Sequence, residues 1–577
     1  MRWSNIFDQQ TVPPEVPEPE VDVRTQRTAD GSYNDLEKPW MGMSKTRFGR
    51  NLPLAESFAE KGARVLAPNP RTISNKLLAR REFVPVPHIN LLAAGWLQFM
   101  VHDWFSHGPN AKDKRHHVPI GEGDDWEEDP MVVLSTEIDP PNDADAGRPD
   151  SYTNMETHWW DGSQIYGSDR VRQKLVRSDP RSGELLGNGK LWLSDSGHLP
   201  VCPVAGEGGK QACGKFAGQE LAGVTGNWWV ALSVLQTLFA REHNAIVDRL
   251  ALEYPHRDGE WLFQKARLVT AALMAKIHTM EWTPALMNSP AGRFVMRANW
   301  WGFAGERFRR GFGRLGASDV IWGIAGSPAD HHAAPYAMTE EFVACYRMHS
   351  LIPDHFSFRR ARDDGALFEA EMAEVSHGEV SRLYERARFE DIVYSLGTSH
   401  PGALVLHNFP NSLRKLSIDP EKGIFNDVAT IDILRDRERG IPRYCRFRRL
   451  LGMKAPRSFD ELTTVPEWRR AVAEVYDDIE DVDLLVGTLC EASGDTPPGF
   501  GFSSTVFRIF ILMASRRLQS DRFYTDDFRP EIYTPEGFEW IADNGLASVV
   551  RRHCPELADH FAGVRNPFFP WRKGAER

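Results

Sequence analysis

The chain has 577 residues, 41% of them hydrophobic and 26% charged, and a formal net charge of −11. That length and apolar content suffice for a large buried core. The acidic balance rules out a dominant basic field, so nucleic acid is not expected as a partner, although a local basic patch remains compatible with an acidic substrate.

Residues 1–50 read as an irregular N-terminal arm, Pro-rich and acidic in "TVPPEVPEPEVD", and residues 51–577 as a single domain. The first residues lack a basic segment followed by an apolar run, so no secretory signal is expected. No segment reaches the roughly 18–20 uncharged apolar residues of a membrane span. The nearest, "LLAAGWLQFMVHDWF", carries Gln98, His102 and Asp103. The expectation is a cytoplasmic monomer, with peripheral membrane contact still open. "FFPWRK" near the C-terminus is aromatic and basic enough for an interfacial contact, a packed tail being the plainer reading.

Apolar residues recur at helical spacing in 88–106, 227–252, 260–283, 340–350, 466–478 and 503–519. Alternating strand patterns are scarce, and 107–150 and 180–225 read as long Gly/Asp/Pro loops. The fold class is therefore mainly α, with long loops and little β structure. The six cysteines form no CxxC pair. Cys202 and Cys213 flank a Gly-rich loop and could pair, but without a secretory signal free thiols are expected.

Five stretches carry chemistry. In "WLQFMVHDWFSHG", 96–108, Gln98 and His102 are four apart and share a helix face. A buried histidine beside an amide can move protons and orient peroxide or dioxygen; the plain alternative is a core histidine. In "THWWDGSQIYGSD", 157–169, Thr157, Asp161, Ser163 and the Trp159 carbonyl offer oxygen donors, and Asp103 offers a further carboxylate. Such a set suits Ca²⁺; the alternative is an Asp-Gly turn closed by its own hydrogen bonds. In "ACYRMHSLIP", 344–353, Tyr346 and His349 are three apart and would share one helix face. His349 is then a candidate axial iron ligand and Tyr346 a candidate radical-forming phenol, against a plainly packed Tyr–His pair. In "SSTVFRIFILMASRRLQSDRFY", 503–524, Arg508 sits among apolar neighbours. A buried guanidinium needs an anion, internal or a substrate carboxylate. Arg516 and Arg517 read as the polar end of that helix. In "AKIHTMEWTPAL", 275–286, His278 and Thr283 offer two hydrogen-bond donors in an apolar segment.

In their order along the chain, "QFMVHDW", "THWWDGSQIYGS", "LFAREHNAIVDRL" and "YRMHSLIPD" resemble the animal-type haem peroxidase and cyclooxygenase superfamily. Within it the likeness is to fatty-acid α-dioxygenases. The resemblance implies a helical fold around non-covalently bound haem b, with His102 distal, Gln98 beside it and His349 as proximal ligand. It implies a calcium site at Asp103, Thr157, Trp159, Asp161 and Ser163, and a radical at Tyr346. His278, Thr283 and a late arginine, taken as Arg508 with Arg517 in reserve, would bind the substrate carboxylate. The implied reaction adds O2 at C2 of a long-chain fatty acid, with hydrogen peroxide as activator, giving a 2(R)-hydroperoxy acid. The alternatives are a haem peroxidase oxidising small donors with hydrogen peroxide, and a lipid- or haem-binding protein without turnover. Val101 stands where peroxidases of the superfamily often carry an acidic residue esterified to haem, and six scattered cysteines do not fit the disulfide-rich module of cyclooxygenases.

Overall fold

The computed structural model describes residues 6–202, 217–330, 336–419, 424–491 and 501–574. Among these, helices dominate, and the strands pair only as four two-stranded sheets. Helix α1 (Leu91–Trp104) is apolar almost all round and correspondingly buried. It crosses α2 (Val230–Glu253) at Gly95, where a Cβ would lie 2.7 Å from that of Ala231. Helix α3 (Gly259–Ile277) packs on α2 and begins at Asp258, whose carboxylate accepts the Trp261 N–H at 2.8 Å.

Helix α3 does not simply continue through 283. A π-helical turn occupies His278–Trp282, and the short α4 (Thr283–Met287) follows. Three other expectations need correction. The helix predicted over 340–350 is only α5 (Glu340–Cys345); Tyr346 caps it, and His349 opens a separate 3-10 turn, His349–Leu351. Pro353 disfavours helix in the residue before it and leaves no N–H for the preceding turn, so the apolar spacing is not enough to carry the helix on. Tyr346 and His349 therefore do not share one helix face. The supposed loop 107–150 holds an antiparallel hairpin, β1 (Asn110–Val118) with β2 (Met131–Thr136). The sequence of β1, "NAKDKRHHV", is charged and mostly exposed, so it lacks the alternation that marks a strand. Cys202 is disulfide-bonded, against the expectation of free thiols, and its partner lies outside the described residues. Cys345, Cys445, Cys490 and Cys554 are buried and form no disulfide.

Residues 6–50 lie against the helical body. Arg27 pairs with Asp521 at 2.9 Å, both buried, and Arg47 bridges Asp139 and Asp145. The arm reaches the oxygen-rich loop at Gly42, whose carbonyl accepts the His158 N–H at 2.9 Å. Gly42 has φ +70°, and a Cβ there would lie 2.3 Å from Trp159 Cε2. Gly42→Ala should therefore cost about 2 kcal/mol through backbone strain and overpacking. A lowered thermal unfolding midpoint with the same secondary structure would be the expected reading.

Candidate active site

Three groups of side chains converge from distant parts of the chain. The first begins on α1. Gln98 and Val101, three apart, are the partly exposed positions on one face of an otherwise buried α1, and Phe105, extended just past its end, is partly exposed too. His102 adjoins that face, only 7% exposed. Its Nδ1 is buried without a partner, and burial lowers its pKa to about 4, so the imidazole is neutral. Gln98 is fixed from both ends. Its amide donates to the Asn227 carbonyl at 3.1 Å and accepts the Trp229 indole N–H at 2.8 Å. His349 keeps a third of its side chain exposed. Its Nδ1 bonds the Asp432 carboxylate at 2.8 Å, across 83 residues. A carboxylate only accepts, so Nδ1 carries the proton and Nε2 presents a lone pair. Asp432 lies on α6 (Val428–Glu438), and nothing local in "TIDILRDRERG" marks it as a partner.

The second group surrounds Trp104, at the end of α1. Its ring lies 5.3 Å from Tyr346, 5.2 Å from His278 and 5.6 Å from Trp160, all edge-on. Phe510 stacks on Tyr346 at 5.9 Å. Arg517 stands over the Trp104 ring at 4.8 Å and the Trp160 ring at 5.2 Å. Within this apolar cage several polar atoms are buried without hydrogen bonds: Tyr346 Oη, His278 Nε2, Arg517 Nη1 and the indole nitrogens of Trp104 and Trp160. The tautomer of His278 follows from its other nitrogen. Nδ1 receives the Trp96 indole N–H at 3.2 Å, and an indole can only donate. The proton is therefore on Nε2, an unused donor. Burial, and then the charge of Arg517, hold His278 well below its usual pKa, so the ring is neutral. Burial also raises the Tyr346 phenol well above its usual range, so it keeps its proton.

Arg508 does not belong to this group. It is exposed on α7 (Ser504–Ser520), whereas Arg517, nine positions on, is buried. At about 100° per residue those positions lie roughly 180° apart, so only one can face inward. The expectation of a buried Arg508 is overturned, as is the reading of Arg516 and Arg517 as a polar helix end, since both are 1% exposed. Apolar sequence neighbours misled because "VFRIFILM" supplies them to every face. Thr283 comes close to His278 through the π turn, but its hydroxyl donates to the His278 carbonyl at 2.9 Å. It is not a free donor.

The third group is the loop before the helical turn Ser163–Tyr166. Asp161 Oδ1 accepts the hydroxyls of Thr157 at 3.0 Å and Ser163 at 2.9 Å, and its Oδ2 pairs with Arg267 at 3.2 Å. Asp103 Oδ1 accepts the Ser163 N–H at 2.6 Å, while its Oδ2 is buried and unpartnered. The Trp159 carbonyl receives Arg517 Nη2 at 2.7 Å, and the His158 carbonyl receives Nε at 3.2 Å. Among the described residues no three His, Cys, Asp or Glu side chains gather as a metal cluster. Two carboxylates with hydroxyls and a carbonyl form instead a hard, all-oxygen set.

A neutral buried imidazole, an oriented second imidazole and a protonated phenol beside a guanidinium with one unused nitrogen are the parts of a haem oxidoreductase. The sequence matches the animal haem peroxidase family over residues 26–564, and the chain belongs to that family. It is 35% identical over 568 residues to alpha-dioxygenase PIOX of Oryza sativa subsp. japonica, covering 94% of this chain and 86% of that one. It is 36% identical over 562 residues to alpha-dioxygenase 2 of Arabidopsis thaliana, covering 94% and 84%. The crystal structure of Oryza sativa fatty acid alpha-dioxygenase superposes with a TM-score of 0.87 at 32% identity, over 98% of this chain and 90% of that one. A tyrosine-to-phenylalanine variant of the same enzyme, crystallised with palmitic acid, gives 0.86 with the same identity and coverage.

The residues present fit the family's haem. His349 offers a lone pair on a ring held by a carboxylate, the usual outer support of an imidazole ligand, and Gln98, Val101 and Phe105 stay partly exposed beside His102, whose buried Nδ1 has no partner. Two predictions follow from this geometry. Asp432→Asn should weaken haem retention by about 10–100-fold, read from the Soret band during haem titration. Arg517→Met should strand the His158 and Trp159 carbonyls and lower stability by about 2–4 kcal/mol, whereas Arg508→Ala should leave the unfolding midpoint unchanged.

Proposed function

We infer that this enzyme, an oxidoreductase of the alpha-dioxygenase kind, takes a long-chain fatty acid and dioxygen and oxygenates C2. The observation that carries the reading is the set of unpaired donors around Trp104. Leaving each such group buried and unbonded costs about 1–3 kcal/mol, and a carboxylate entering the cage offsets several at once. Arg517 Nη1 and His278 Nε2 are both donors, as a carboxylate requires. Thr283 would act by tying the π turn that aims His278.

C2 is bonded to the carboxylate carbon, so anchoring the carboxylate beside Arg517 sets the C2 hydrogens near Tyr346. A misplacement of about 1 Å can cost roughly a hundredfold in rate, which is the reason for anchors on both sides. Bound haem supplies the one-electron oxidising power. His102, kept neutral by burial beside the partly exposed Gln98, is suited to take a proton from hydrogen peroxide as activator. Tyr346 then gives up its phenolic hydrogen and, as a radical, takes one hydrogen atom from C2. Dioxygen adds to the carbon radical. The peroxyl group recovers a hydrogen atom from Tyr346, which regenerates the radical and leaves a 2(R)-hydroperoxy acid. The apolar tail contributes about 0.8 kcal/mol per buried CH₂, favouring long chains.

Asp103, Thr157, Trp159, Asp161 and Ser163 would hold Ca²⁺. The orphaned Oδ2 of Asp103 and the purely oxygen donor set support this. Such an ion would tie α1, just past His102, to the loop whose carbonyls hold Arg517. Removing it with a chelator should lower the thermal unfolding midpoint of the wild type, and Asp103→Asn should abolish that sensitivity. No helix among the described residues is long and apolar enough to cross a membrane.

The deciding experiment is oxygen uptake by haem-loaded protein given palmitic acid. Wild type should consume oxygen and Tyr346→Phe should fall to background. Arg517→Lys should lose about ten- to a hundredfold in kcat/KM, the worth of a charge-assisted hydrogen bond, with Arg508→Ala unaffected. Uptake that survives Tyr346→Phe would overturn the radical assignment. Peroxide-dependent oxidation of small donors without any fatty-acid oxygenation would favour the peroxidase alternative.

A further inference from the structure

Three helices follow the π turn and α4 in the chain, Pro290–Trp301, Gly305–Phe312 and Asp319–Trp322. Together they form a cap. It is tied to itself, with Phe303 N donating to Val320 O at 3.1 Å and Ala304 N to Ile321 O at 2.9 Å. Gly302 permits the crossing, since a Cβ there would meet Ile321 O at 2.1 Å. The inner side of the first helix buries Met296 and Trp300 and packs on the π turn that carries His278. Asn299 also donates to Ser515 of α7 at 3.4 Å. The cap is thus one helix away from the carboxylate cage.

Its outer side is apolar. Phe294, Phe303, Phe308 and Phe312 are 38–70% exposed, and they are four of the six strongly exposed phenylalanines among the described residues. That concentration separates them from the scattered apolar residues any surface carries. Their rings meet in two pairs, Phe294 with Phe303 at 5.8 Å and Phe308 with Phe312 at 4.8 Å. Leu315 and Ile321 extend the surface. Its charge runs against that of the chain. Residues 290–322 hold six arginines against Glu306 and Asp319, a local +4 on a protein of −11. Arg309 and Arg314 are used up on cap carbonyls, and Arg297 and Arg310 on Glu306 and Asp543. Among the described residues, the guanidinium groups of Arg293 and Arg307 make no ion pair or hydrogen bond.

We propose that this cap is a docking surface for an anionic lipid bilayer. The phenylalanines would enter the boundary between headgroups and acyl chains, with guanidinium groups on the phosphates. Short helices lying flat, with aromatic rings beside basic side chains, suit that interface, and the charge complements anionic lipid. A second copy meeting the same face would oppose +4 to +4, which disfavours a two-fold dimer there. The inference rests on the fatty-acid reading above, because a substrate stored in bilayers gives the docking its purpose.

Flotation of the full-length, haem-loaded protein tests it. The vesicles are phosphatidylcholine alone and an equal mixture of phosphatidylcholine and phosphatidylglycerol. Wild type should bind the mixed vesicles and lose binding in high salt. A Phe308→Ser, Phe312→Ser double variant should bind about tenfold more weakly or worse, and Arg307→Gln should be weakened on mixed vesicles alone. Oxygen uptake on detergent-dispersed palmitic acid, run on the same samples, should be unchanged by these substitutions. No wild-type binding to the mixed vesicles, or equal binding by the variants, would overturn the proposal. So would a dimer that the double variant dissolves. Vesicle binding without any oxygen uptake would instead remove the catalytic reading and leave the surface standing.

Discussion

Arg517 is a buried positive charge, and among the described residues no carboxylate pairs with it directly. Its guanidinium is held by two backbone carbonyls, those of His158 and Trp159, and by the faces of Trp104 and Trp160. Burying such a charge is costly, and carbonyl dipoles and aromatic faces offset only part of it. The neighbourhood is built around that cost. Asp103 feels the charge and Asp161 faces Asp103, so the oxygen-rich loop and the cage share one electrostatic account. His278 is kept neutral partly by the same cation. The remaining free N–H makes the cage receptive to an acceptor, and most of all to an anion.

The helical fold was largely legible, because long apolar runs at helix spacing produced α1, α2, α3 and α7 within a few residues of their predicted positions. Local chemistry in "QFMVHDW" and "THWWDGSQIYGS" pointed at residues that do converge in space. What stayed hidden was set by tertiary packing. Asp432 holds His349 from 83 residues away, and Trp104 joins Tyr346, His278 and Arg517 only after the helices assemble. Arg508 and Arg517 could have been told apart by counting helical phase from Val506, Phe510 and Met513, the buried positions of that helix. Counting apolar neighbours along the chain could not do it.

The break between Tyr346 and His349 separates two jobs that a continuous helix would have coupled. Tyr346 is packed by Trp104, Phe342 and Phe510, whereas His349 answers to Asp432 on another helix. Each ring is therefore held by its own neighbours. A change in the packing of the phenol need not rotate the imidazole, and the reverse also holds.

The π turn at His278–Trp282 has a consequence for how such a site can arise. Residues five apart in a regular α-helix point about 140° away from one another. Here the Thr283 N–H and hydroxyl both return to the His278 carbonyl, which is the i→i+5 pattern of a widened turn. One residue more than an α-helix needs lets Thr283 bond the His278 carbonyl while helix continues on either side. A single residue added to an α-helix is enough to open such a turn, and a single residue removed is enough to close it.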